Sequence, residues 1–333
     1  MAGGPNQGAS QLTSLSAESP ADGLCRVLSL DGGGAKGFYT LGVLKEIESL
    51  TKRRLHTCFD LIYGTSTGAI IAALLARGES VDTIQDLYKQ YVPAIMRTNQ
   101  ANRRTEELHK LARQIFGDDM TDVFKTRLGI VTTNWLDERP MIFKSSATQA
   151  HRSAGSFVPF FGCKVADAII ASCSAYPFFN RHTLSSSRGM VELADGGFCA
   201  NNPTLYAIAD VHLKLGYERS SIRVVSIGVG SYPQPSFFRQ AGRVLQNLRL
   251  LRHVPSSDFI QKILDTNTSS METLYTILFQ DVPAIRISER FTEPELATDL
   301  MEHDLAKLER LTQKGRWSFA AHEERLRNFL LAA

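Results

Sequence analysis

Apolar positions in the first quarter of the chain follow two periods. Short continuous runs at residues 27–30 and 59–63 alternate with stretches of helical spacing at 38–50 and 69–76. Between Arg26 and Gly78 this predicts strand, glycine loop, helix, strand, sharp turn and helix, the pattern of a parallel sheet covered on both faces. Residues 81–96 predict an amphipathic helix. The polar, basic stretch 99–117, with Arg103, Arg104, Lys110 and Arg113, reads first as a solvated helix face or loop. Its sharper reading is a cap or a contact for an anionic ligand. Residues 130–134 and 141–144 predict strands around a turn holding Asp137, Glu138 and Pro140, and 190–194 predict another strand. Residues 153–161, with Phe157, Pro159, Phe160 and Phe161, are either core filling or an apolar lip at a site. Pro233 and Pro235 then break the pattern, and beyond them long helical spacings with few glycines run to Gly315.

Composition changes this picture little. The chain has 333 residues, 43% of them hydrophobic, which is enough for one large α/β core. A net charge of +3 makes no case for nucleic-acid binding. No apolar stretch reaches the roughly 18 residues that span a bilayer. Residues 1–23, rich in Gly, Ser, Ala and Gln, lack the marks of a signal peptide and read as a disordered leader. Cys25, Cys58, Cys163, Cys173 and Cys199 lack Cys-x-x-Cys spacing and read as free thiols in a reducing cytosol rather than as metal ligands.

Candidate chemistry sits where the apolar runs end. Gly64-Thr65-Ser66-Thr67-Gly68 follows one run and opens the next. A glycine-flanked serine between strand and helix is a nucleophile elbow, which projects the Oγ at a helix N-terminus. Upstream, Asp31-Gly32-Gly33-Gly34-Ala35-Lys36-Gly37 offers backbone amides to an anion, either a phosphate or an oxyanion. Taken alone it also satisfies a dinucleotide fingerprint or a plain turn. Downstream, Asp195-Gly196-Gly197 ends the run at 190–194. The usual partner of a nucleophilic serine is histidine. None of His56, His109, His151, His182, His212, His253, His303 or His322 sits in a glycine-punctuated loop after a clear strand, whereas Asp195 does. A shielded aspartate within hydrogen-bond reach can take the proton directly.

These motifs, with Asn201-Asn202-Pro203 after the last and the block 168–179 before it, resemble the patatin-like phospholipase family over about residues 26–230. The resemblance implies a three-layer α/β/α sandwich with a mostly parallel central sheet. It implies a serine–aspartate dyad of Ser66 and Asp195 without a catalytic histidine or cofactor, and an oxyanion site from the amides around Gly33, Gly34 and Ala35. It also implies lipid acyl hydrolysis. Lys36 stands where plant patatins carry arginine, so any contact it makes is a point charge rather than a fork of donors. Segments 27–42, 138–144 and 295–302 look like one bacterial branch, the CapV-like effectors of cyclic-oligonucleotide anti-phage signalling (CBASS). On that likeness a cyclic dinucleotide such as cyclic GMP-AMP activates a latent enzyme, which assembles as a homo-oligomer. The enzyme is expected to be cytoplasmic and to act peripherally on phospholipids of the inner membrane.

The expected organisation is a single domain over residues 24–333, with a core at 24–231 and a helical regulatory or oligomerisation portion at 232–333. Within that portion, 237–254 set Phe237, Leu245, Leu248 and Leu251 against Arg239, Arg243, Arg249 and Arg252. This is a helix packed on the sheet, one lying on an anionic membrane, or one lining a pocket for a cyclic dinucleotide. Residues 265–270 either cap a helix at 271–279 or present hydroxyls to nucleotide bases. Leu296, Leu300, Leu305, Leu308 and Leu311 form a core or subunit stripe. Besides a regulated phospholipase, the motifs admit a constitutive lipase or a nucleotide-sensing interaction protein with a residual hydrolase site. A dinucleotide-dependent oxidoreductase rests on the first glycine run alone and leaves Ser66 and Asp195 unexplained.

Overall fold

The computed structural model describes residues 23–151, 157–187, 189–232 and 257–331. The expected leader and the 237–254 segment therefore lie essentially outside the described residues. The predicted alternation opens the fold: β1 (Cys25–Leu30), α1 (Gly37–Thr51), β2 (Leu61–Thr65), α2 (Thr67–Arg77), α3 (Val81–Arg97) and α4 (Ala101–Phe116). Then come β3 (Arg127–Asn134), β4 (Arg139–Lys144), α5 (Val165–Ser172), β5 (His182–Ser186), β6 (Gly189–Asp195), α6 (Gly197–Ala200), α7 (Thr204–Leu213) and β7 (Ile222–Ile227). The remainder is α8 (Ser257–Leu278), β8 (Ala284–Ile287), α9 (Leu305–Ala320) and α10 (Glu323–Leu331).

The strands form one eight-stranded sheet in the order β5-β6-β3-β2-β1-β7-β8, with β4 also on β3. The stretch β3-β2-β1-β7-β8 is parallel, while β4, β5 and β6 join antiparallel. Side chains alternate along β1, so Leu28 and Leu30 enter one core while Cys25 and Val27 enter the other. The larger core takes α1, α2, α3 and α9, and the smaller takes α7 and the end of α8. Helices on both faces of a mostly parallel sheet make the expected three layers.

Register explains where the site forms. On β3, Val131 pairs with Thr65 at the end of β2, and the next residue, Thr132, pairs with Asp195 at the end of β6. Because β6 runs opposite to β2, the two strand ends meet one ladder step apart. A serine just past one end and an aspartate at the other are brought face to face.

Several expectations change. Residues 99–117 are largely the helix α4, with Arg103, Lys110 and Arg113 on its solvated face as expected, while Arg104, Leu108 and Leu111 are buried on the side that covers the core. Of the stretch 153–161, residues 153–156 lie outside the described residues; Phe160 and Phe161 pack edge-on against Phe143, and Phe160 also meets Phe124, so these two rings fill the core. Residues 265–270 lie inside the continuous helix α8 and cap nothing. The leucine stripe is broken: only Leu305, Leu308 and Leu311 share α9. The C-terminal portion also contributes β8 to the sheet, which the helical pattern hid.

Candidate active site

Ser66 adopts φ 53° and ψ −122°, a backbone conformation that a side chain rarely occupies. The neighbouring glycines are what make it reachable. A Cβ on Gly64 would lie 2.3 Å from the Gly68 carbonyl oxygen, and one on Gly68 would lie 2.4 Å from that of Leu30. The Ser66 amide donates to Ser172 Oγ at 2.9 Å, and that hydroxyl donates to the Val131 carbonyl at 2.7 Å. The elbow's threonines anchor outward, Thr65 Oγ1 to the Ala200 carbonyl at 2.8 Å and Thr67 Oγ1 against the Tyr88 hydroxyl at 2.8 Å.

Ser66 Oγ donates to Asp195 Oδ2 at 2.7 Å. The other carboxylate oxygen, Oδ1, accepts from the Gly197 amide at 2.7 Å. Gly196 lets the turn press on β3, where a Cβ would come within 2.1 Å of the Val131 carbonyl oxygen. The backbone of Asp195 is held as well, with its amide on the Ser174 carbonyl at 3.0 Å and its carbonyl on Thr133 Oγ1 at 2.8 Å. Asp195 is 2% exposed. Burial pushes its carboxyl up to about 6, against the pull of the Ser66 and Gly197 hydrogen bonds. Among the described residues no histidine lines this site.

The glycine loop supplies fewer donors than expected. The Gly32 amide donates to the Asn201 carbonyl at 2.9 Å, that of Ala35 to the Leu300 carbonyl at 3.0 Å and that of Lys36 to the Gly33 carbonyl at 3.2 Å. The Gly37 amide is also spent within the loop. Gly33 and Gly34 keep amides without a partner among the described residues, and both line the cavity beside Ser66. Gly34 has φ +57°, and a Cβ there would meet the Leu300 oxygen at 2.3 Å. Ala35 therefore braces the loop, and the free pair narrows to Gly33 and Gly34.

The cavity is an apolar slot of about 60 Å3. Ile70 of α2, Ile95 and Met96 of α3, and Leu108 and Leu111 of α4 wall it, and Leu264 and Leu300 close it from the C-terminal portion. Cys173 also lines it, and burial drives that thiol's pKa well up, so it stays protonated. Lys36, expected beside the oxyanion, does not line the slot. It faces a separate polar cleft. Sequence reasoning gave Ser172, Thr133, Asn201 and Leu300 no role at the site. Ser172 and Asn201 carried a signal, because they fall in the block 168–179 and in the Asn-Asn-Pro run that flank the aspartate motif, and Leu300 stood only in the leucine stripe.

The sequence model of the patatin-like phospholipase family matches residues 28–208. A cUMP-AMP-activated phospholipase of Escherichia coli is 51% identical over 96% of this chain and 98% of its own length. The chain belongs to the patatin-like phospholipases. A cGAMP-activated phospholipase of Vibrio cholerae is 28% identical over 61% of this chain and 63% of its own. Patatin-like protein 2 of Arabidopsis thaliana is 26% identical over 86% of this chain and 80% of its own. This patatin-like phospholipase is thus a lipid acyl hydrolase acting on carboxylic esters. Among the described residues no cluster of His, Cys, Asp or Glu could hold a metal ion, and no helix is long and apolar enough to cross a membrane.

Proposed function

We propose that this patatin-like phospholipase cleaves membrane phospholipids with Ser66 as nucleophile and Asp195 as its general base. The observation that carries the reading is the 2.7 Å contact from Ser66 Oγ to Asp195 Oδ2. Asp195 takes the Oγ proton as Ser66 attacks the ester carbonyl. The unpaired Gly33 and Gly34 amides stabilise the oxyanion of the tetrahedral intermediate. Asp195 then returns the proton to the leaving alcohol, and an acyl-enzyme remains. Water, deprotonated by Asp195, attacks that ester, releases the fatty acid and restores Ser66.

We further propose that a cyclic dinucleotide switches the enzyme on. The E. coli relative, at 51% identity over nearly the whole chain, carries that reading. The slot supports it, because about 60 Å3 is far below the roughly 300–1,000 Å3 of ordinary ligand pockets. Widening the slot to admit an acyl chain is then the step the activator drives. On this reading the enzyme self-associates when activated and acts at the inner membrane face as an anti-phage effector.

The test is fatty-acid release from phospholipid vesicles by wild type and Ser66→Ala, with and without cUMP-AMP or cGAMP. Release that requires both Ser66 and one nucleotide is the expected result. Equal release without nucleotide would remove the switch, and release by Ser66→Ala at the wild-type rate would remove the nucleophile.

A further inference from the structure

A second cavity, of about 590 Å3, adjoins the same glycine loop but is lined by Asp31 and Lys36 rather than by Gly33 and Gly34. Its other walls are the segment after β7, Arg286 of β8 and one side of α8. The catalytic steps use none of the side chains that line it.

Lys36 is the observation that demands an occupant. It is 3% exposed, and its ammonium forms no hydrogen bond or ion pair with any described residue. Asp265, Asp299 and Asp31 act on it only from a distance. Arg286 holds both oxygens of Asp31, and one oxygen each of Asp265 and Asp299 is held, by Gln261 and by the Met301 amide. The ammonium opens on the cleft at the end of an otherwise buried side chain, and an anion reaching it there would form a charge-assisted hydrogen bond. A second group lacks a partner here. Gln261 Oε1 is a buried acceptor without a hydrogen bond, and Gln261 lines the cavity. It calls for a donor such as a base amino group or a ribose hydroxyl. A bare phosphate would satisfy Lys36 and leave that amide unanswered. A phosphodiester of nucleosides answers both, and the cavity's volume falls in the range of small-molecule sites.

We infer that this cleft is the activator site, with a phosphodiester of the cyclic dinucleotide on Lys36 and a base or ribose donor on Gln261. The inference rests on the reading that a cyclic dinucleotide activates this chain. It also assigns the route to the slot. Arg286 grips Asp31 through Nη1 at 2.9 Å and Nη2 at 2.5 Å, and its Nε donates to Glu272 of α8 at 2.8 Å. On the same helix, Asn267 and Thr268 hold Asn201, whose carbonyl takes the Gly32 amide. Leu264, on α8 too, reaches into the slot. An occupant that moves α8 therefore moves the slot's plug and the base of the glycine loop together.

The experiment is calorimetric titration of cUMP-AMP and cGAMP into the full chain carrying Ser66→Ala, and into the same chain with Lys36→Met or Ser269→Trp added. Ser269 is an exposed residue of α8 lining the cleft, so a tryptophan there fills the cavity without entering the core. The expected result is binding by the parent and at least about tenfold weaker binding by each double variant at unchanged Tm. Should Lys36→Met fail to fold, Ser269→Trp decides. Parental affinity in both variants overturns the site while leaving nucleotide activation standing. A parent that binds neither nucleotide, together with wild-type hydrolysis that neither nucleotide stimulates, overturns the activation reading and this inference with it.

Discussion

On one flank of residues 32–37 lies an apolar slot of about 60 Å3 with Ser66 and Asp195 in its wall. On the other lies a cleft of about 590 Å3 whose walls are largely charged or amide-bearing. The slot's catalytic groups are paired, since each Asp195 oxygen has its donor and the Ser66 amide its acceptor, and only the Gly33 and Gly34 amides stand free among the described residues. The cleft keeps Lys36 without a hydrogen-bond partner among the described residues, and Gln261 Oε1 without a donor. A site satisfied within itself is ready for chemistry but has little room for substrate. A site left unsatisfied is built around something that arrives. One loop and one helix, α8, stand between them, which is how occupancy of the cleft can become geometry in the slot.

The strongest way to break the comparison is to disable the slot alone. Asp195→Asn keeps the shape and removes the base, so hydrolysis should fall by about 10^4-fold, while nucleotide affinity measured by calorimetry stays within twofold of wild type. A comparable loss of affinity would mean the two cavities are not separate sites. Gly34→Ala comes next. Its Cβ would press on the Leu300 oxygen and displace a free amide, so kcat should fall by about 10²–10³-fold with little change in KM. A rise confined to KM would assign the loop to binding instead.

Acidification offers a milder version of the first test. Burial raises the Asp195 carboxyl to about 6, and only the carboxylate can accept the Ser66 proton. Activity should therefore be lost as pH falls through about 6, by about tenfold for each further unit, and reach its plateau near pH 7. A rate that stays flat down to pH 4.5 would contradict the assignment. The smallest effect belongs to the scaffold. Ser172→Ala strips the Ser66 amide of its acceptor, and urea unfolding should show a loss of about 1–3 kcal/mol.

Much of the slot was legible in the sequence, because tight backbone geometry restricts the residue types that fit. The crowding at Gly64, Gly68 and Gly196 admits only glycine, and those positions flag Ser66 and Asp195. The parallel part of the sheet was legible through its short apolar runs. The cleft was not. Its central ion pair joins Arg286 to Asp31 across 255 residues, and the strand that carries Arg286 has only four residues among helical spacings. The closing of the slot by Leu300 depends on where an irregular segment lands, which periodicity does not encode. Lys36 belongs to the glycine loop in sequence, but its side chain lines the cleft and not the slot that Gly33 and Gly34 line, a divergence that the motif alone does not encode.

The central claim is that Ser66 is a nucleophile activated by Asp195 without a histidine. Intact-mass spectrometry after treatment with a fluorophosphonate tests it most directly, in wild type, Ser66→Ala and Asp195→Asn, with cUMP-AMP and cGAMP each added. A single adduct mapped to Ser66, absent from Ser66→Ala and strongly slowed in Asp195→Asn, is the predicted result. An adduct on any other residue, or labelling of Asp195→Asn at the wild-type rate, would contradict the account.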